Sequence, residues 1–151
     1  MKRIASFSVD HDKIVPGMYI SRIDGDITTF DLRTRTPNAG NYMDNVTMHT
    51  VEHMLATLLR GGEIGDSVIY FGPMGCRTGF YLLTRDIAPA RVLEVLKKAL
   101  ADTVAYTGEV PGASRQECGN YRELSLDAAK QECAAYLAVL EKHKGDFSYA
   151  E

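Results

Sequence analysis

Residues 18–23 and 27–35 form two β-patterned runs separated only by Asp24-Gly25-Asp26. So short a link joins strands as an antiparallel hairpin, since a parallel pair needs a crossover of a dozen or more residues. The second run alternates: Thr28, Phe30, Leu32 and Thr34 face one way, and Ile27, Thr29, Asp31 and Arg33 the other. Thr36-Pro37-Asn38-Ala39-Gly40-Asn41 then has the composition of a loop. A helix is expected over residues 47–60, with Val51, Leu55, Leu58 and Leu59 as its apolar stripe and Gly61-Gly62 as its stop. Residues 67–71 and 78–84 are β-like again, on either side of Gly72-Pro73-Met74-Gly75-Cys76. A second helix starts within 86–89, where Pro89 suits the first turn, and carries Val92, Leu93, Leu96 and Leu100. After a loop over 108–113 comes a last helix over 126–142. The order β-β-α-β-β-α-α predicts an α+β fold, an antiparallel sheet with helices packed on one face. With no repeat or linker to split it, the expectation is a single domain spanning residues 1–151.

Composition narrows what such a domain does. Apolar residues make up 45% and charged residues 25%, the mix of a globular chain. The net charge of −3 argues against a nucleic-acid partner, which selects a basic face. No apolar run is long enough for a transmembrane helix, so no membrane partner is expected. Lys2 and Arg3 are followed by no apolar stretch, and Asp10 and Asp12 come soon after, unlike a signal peptide. The expected location is cytoplasmic. Cys76, Cys118 and Cys133 are an odd number and too scattered for a disulfide framework, which leaves metal ligation or thiol chemistry as cysteine roles.

His49-Thr50-Val51-Glu52-His53 carries the chemistry. Helical residues turn about 100° each, so His49 and His53 stand about 40° apart, one turn up, and both imidazoles reach one ion. Glu52, on the flank of that face, addresses a water or substrate bound there. The order H-x-x-E-H is also that of inverted zinc peptidases. A catalytic ion takes a third protein ligand and keeps one position open. Cys133 falls on the apolar stripe of the last helix and reads as a small buried hydrophobe, and His143 suits that helix's C-terminal end. His11 lies between two aspartates. Cys118, in a polar stretch beside Gly119, and Cys76, between Gly75 and Arg77, both remain open as the third ligand on spacing alone.

Several separated segments resemble the S-ribosylhomocysteine lyase family, which makes the precursor of the autoinducer-2 signal. They are Ser6-Phe7-Ser8-Val9-Asp10-His11, Phe30-Asp31-Leu32-Arg33 with Pro37-Asn38, the His49–His53 motif, Pro73-Met74-Gly75-Cys76-Arg77-Thr78-Gly79-Phe80-Tyr81, and Glu117-Cys118-Gly119-Asn120-Tyr121. They occur in family order and span residues 6–121. The resemblance implies that His49, His53 and Cys118 hold the metal, and that Glu52 and Cys76 are the acid/base residues. Ser6, His11 and Arg33 fall where the family contacts substrate. It further implies ferrous iron (Fe2+), replaceable by Zn2+ or Co2+, and a homodimer with active sites at the subunit interface. The chain departs from the family at Tyr70, where an aspartate is usual, and at Gly72, which replaces a serine.

The implied substrate is a pentose whose C5 carries the sulfur of homocysteine. Expelling that thiol needs an acidic hydrogen at C4, so the carbonyl must migrate from C1 to C3 by two proton shifts before β-elimination. That path calls for a Lewis acid on oxygen and for bases along the carbon chain. Two rival functions share the helix motif. A zinc peptidase needs no second thiol, and a closed structural site would take Cys76 as a fourth ligand. Pattern alone leaves Arg33 equally readable as half of a surface ion pair with Asp31.

Overall fold

A computed structural model describes residues 1–151. Four strands form one antiparallel sheet: β1 (Gly17–Asp24), β2 (Ile27–Arg33), β3 (Val68–Pro73) and β4 (Gly79–Arg85), in the spatial order β1-β2-β4-β3. Both hairpins follow from their short links, and β4 inserts beside β2, so β1 and β3 become the edges. Three helices complete the fold: α1 (Asn45–Arg60), α2 (Pro89–Ala105) and α3 (Leu126–Glu141). Fold class, element order and the two hairpins are those expected from the sequence; the β2–β4 pairing that joins the hairpins is not legible there.

Periodicity explains how the layers meet. Met18, Phe30, Leu32, Phe71, Phe80 and Leu82 present one face of the sheet to Val51, Leu55 and Leu59 of α1, Val92, Leu96 and Leu100 of α2, and Ala129, Cys133, Tyr136 and Leu140 of α3, all buried in one cluster. α1 starts two residues earlier than its apolar pattern suggests, because Asp44 caps it. The Asp44 carboxylate accepts from the Thr47 amide at 2.7 Å. Ser125 caps α3 through the Ala128 amide at 3.3 Å.

β2 departs from simple alternation. Asp31 and Arg33 face away from the helices, yet both are buried. The chain's C-terminal segment covers them. After α3 the chain returns to the free edge of β1, where the Ile20 amide donates to the Phe147 carbonyl at 2.7 Å. Phe147 meets Phe30 edge-on on the core side, while Tyr149 stacks on Tyr19 on the opposite side.

The loop joining β3 to β4 displays Cys76. It is closed by Met74 N–H to the Gly79 carbonyl (2.9 Å) and by Arg77 N–H to the Met74 carbonyl (3.0 Å), with Arg77 in the left-handed region at φ +63°. Gly79 lies against β2, where an added Cβ would sit 2.5 Å from the Leu32 carbonyl oxygen. Only glycine lets β4 close on β2 there.

Candidate active site

α1 presents His49 and His53 on adjacent turns, their rings 4.6 Å apart. The segment between α2 and α3 crosses over them and brings Cys118 within 3.4 Å of His49 Nε2. The ligand atoms of the three residues all lie within 4.8 Å of one another. Typical bonds of about 2.0 Å to nitrogen and about 2.3 Å to sulfur put N and S roughly 3.5 Å apart around a tetrahedral ion.

Each histidine is already oriented. Nδ1 of His49 faces the Glu123 carbonyl at 3.0 Å, and Nδ1 of His53 faces the Pro111 carbonyl at 2.8 Å. A carbonyl accepts only, so Nδ1 carries the hydrogen and the lone pair of Nε2 points inward, as a metal ligand requires. The Asn120 amide donates to Cys118 Sγ at 3.4 Å and so helps to orient it. Gly112 permits the close approach of the Pro111 loop. It has φ +72°, and a Cβ on it would stand 3.2 Å from His53 Nδ1. The donor set and its orientation fit a divalent ion.

Cys76 belongs to a second cluster. Its Sγ is exposed, 3.0 Å from Thr78 Oγ1 and 4.0 Å from Arg33 Nη1. Arg33 Nη1 donates to Thr78 Oγ1 at 2.8 Å, while Nε and Nη2 grip the two carboxylate oxygens of Asp31 at 3.0 and 2.6 Å. The reading of Arg33 as half of a surface pair is corrected here: both side chains are 3% exposed. Burial works against the guanidinium charge, but the Asp31 carboxylate outweighs it and holds Arg33 above its ordinary value.

The remaining residues are placed as follows. Glu52 is half-buried on α1, one position before His53. Ser6 and His11 lie in the short turns ahead of β1, and His11 Nδ1 bonds locally to the Val9 carbonyl at 2.9 Å. Cys76 is not among the converging ligand atoms, which leaves the closed four-ligand site without its fourth member. Cys133 lies in the core beside Thr103, its thiol pushed up to about 12 by burial and then by Glu132. His143 follows α3, accepting from the Gly145 amide. Tyr70 is exposed on β3 and lays its ring over Gly72, where a Cβ would require that side chain to turn away.

Sequence reasoning passed over Pro111, Gly112, the Glu123 carbonyl, Thr78 and Tyr149. Pro111-Gly112 was readable as a turn, but a backbone carbonyl aimed at an imidazole leaves no residue pattern to detect.

Comparison with known proteins identifies the family. The S-Ribosylhomocysteinase (LuxS) family model matches residues 4–146. The S-ribosylhomocysteine lyase of Borreliella afzelii (strain PKo) is 43% identical over 150 residues, covering 95% of this chain and 96% of the relative. That of Finegoldia magna is 43% identical over 149 residues, covering 95% of each. That of Clostridium beijerinckii is 45% identical over 141 residues, covering 86% of each. The chain belongs to the S-ribosylhomocysteinase (LuxS) family.

Proposed function

We propose that this protein is a metal-dependent carbon–sulfur lyase that cleaves S-ribosylhomocysteine to homocysteine and 4,5-dihydroxy-2,3-pentanedione, with residues 1–151 as one catalytic domain. The observation that carries this reading is the pairing of a three-ligand histidine–histidine–cysteine group with a separate, unligated thiol held against an arginine. A hydrolase would need the first group only.

His49, His53 and Cys118 would hold one divalent ion, proposed to be Fe2+, with Zn2+ or Co2+ as substitutes. When bound, the ion supplies Lewis acidity toward oxygen atoms of the sugar. The protein's own groups then move the protons. Cys76 Sγ and the Glu52 carboxylate take a proton from one carbon and return it to the next, twice, carrying the carbonyl from C1 to C3. Removal of the C4 proton then expels the homocysteine sulfur from C5, and that sulfur leaves as a thiol. Arg33, buried and bonded to Asp31 and Thr78, keeps positive charge beside Cys76, so its part in substrate binding is proposed to act through that thiol. Thr78 Oγ1 accepts from Arg33 Nη1 and stands 3.0 Å from Cys76 Sγ, to which its hydroxyl donates whenever the sulfur is a thiolate.

Ser6 and His11 are proposed as substrate contacts supplied across a homodimer interface. Support comes from their setting: exposed Ile4, Phe7 and Val15 flank them, and such a run of apolar side chains favours a covering surface.

Free homocysteine thiol released from S-ribosylhomocysteine, captured with a disulfide reagent, tests the function. Stoichiometric release that stops after chelation and returns with Fe2+ is expected. No release from metal-loaded protein would refute the reading.

A further inference from the structure

The last residues of the chain reach the cluster around Cys76. Tyr149 Oη donates to Asp31 Oδ2 at 2.7 Å, the same oxygen that accepts from Arg33 Nη2 at 2.6 Å. The Tyr149 ring lies flat on Tyr19, with centroids 4.9 Å apart and 15° between planes. Tyr19 is the cross-strand partner of Asp31, so ring and hydroxyl together close the outer side of the Asp31–Arg33 pair. The segment is anchored independently of that hydroxyl, by Phe147 against β1, Phe30 and His143.

From Asp31 the connection runs on to the thiol. A guanidinium gripped at Nε and Nη2 by one carboxylate has its plane fixed, and its third nitrogen is then aimed. Here Nη1 points at Thr78 Oγ1 and Cys76 Sγ. Asp31 is itself buried, so the direction of its carboxylate depends on what holds it from the far side. Burial, and then the Asp31 charge, keep the Tyr149 hydroxyl protonated and therefore a donor.

We propose that Tyr149 is a positioning residue for Cys76: it holds Asp31, which fixes the Arg33 guanidinium that stabilises and orients the Cys76 thiolate, directly and through Thr78. The proposal rests on the reading of Cys76 as a proton carrier. Tyr149 lies outside the family-matched residues 4–146.

Tyr149→Phe in the metal-loaded full chain keeps the ring and its stacking and removes one hydroxyl. Carboxamidomethylation of Cys76 by iodoacetamide near neutral pH, followed on its peptide by mass spectrometry, should slow about threefold to tenfold, the scale of one lost hydrogen bond. The kcat for homocysteine release should fall by a similar factor, with KM within about twofold and metal content unchanged. Tyr149→Ala, which also opens the ion pair to water, should slow alkylation further. Unchanged or faster alkylation of Tyr149→Phe, whatever its melting temperature, overturns the proposal and leaves the segment a structural clasp. Alkylation requires no turnover, so the two readings fail separately. Wild-type protein that releases no homocysteine refutes the lyase, while slowed alkylation of the variant still supports the positioning role.

Discussion

Three cysteines of identical chemistry sit in three environments, and reactivity follows environment. Cys76 is exposed beside Arg33 and Thr78, Cys118 converges with two imidazoles, and Cys133 is buried with its thiol pushed up to about 12. Thiol counting with a disulfide reagent should therefore find Cys76 alone reactive in the metal-loaded protein. Cys118 should join after chelation, and Cys133 only after unfolding. Cys133 reacting before Cys118 would contradict this order. Glu52→Gln removes a base and leaves the side-chain volume, so it should fold and bind metal while kcat falls by about 10²–10⁴, the usual worth of a placed proton carrier. A Glu52→Gln enzyme with wild-type kcat removes Glu52 from the chemistry. At this scale the imidazole pair was legible because helical geometry alone puts residues four apart on one face. The buried state of Arg33 was not, because Tyr149, 118 positions away from Asp31, covers the pair.

At the scale of elements, α1 is the frame of the candidate metal group, so its first turn matters. The Thr47 amide holds the Asp44 carboxyl below its ordinary value of 3.8. A carboxylate lowered in the folded state stabilises fully above its unfolded value and loses that contribution as pH falls through the folded one. Asp44→Ala should cost about 1 kcal/mol at neutral pH. The difference from wild type should shrink as pH falls below the ordinary carboxyl value of 3.8 in denaturant titrations; a constant difference would mean the cap is not the cause. The segment carrying Pro111 and Gly112 is the second element of the site. Alanine at residue 112 would meet both a left-handed φ of +72° and the His53 ring at 3.2 Å. Gly112→Ala should therefore displace the Pro111 carbonyl and weaken metal binding by about 10- to 100-fold in competition with a chelator. Unaltered affinity would show that this carbonyl does not orient His53. The helices and strands were legible because burial imposes periods of 3.6 and 2 on apolar residues. The β2 pattern at Asp31 and Arg33 broke that rule because a segment with no periodicity of its own packs on the second face. The loop over the histidines was legible only as a loop, since what it contributes is main-chain oxygen.

For the molecule as a whole, the exposed apolar residues Ile4, Phe7 and Val15 surround the two proposed substrate contacts of the N-terminal segment. Sedimentation at micromolar concentration should give twice the mass of one chain, and a single-chain mass would contradict the proposed dimer. The proposed lyase divides labour between two thiols, one holding the ion and one moving protons. Metal content and homocysteine release, measured on the same dialysed samples of Cys118→Ala and Cys76→Ala, test it most directly. Cys118→Ala should lose both its metal and its activity. Cys76→Ala should keep close to one ion per chain and lose about 10²–10⁴ in kcat. A Cys76→Ala protein that turns over normally, or one that loses its metal while Cys118→Ala retains it, would contradict the account.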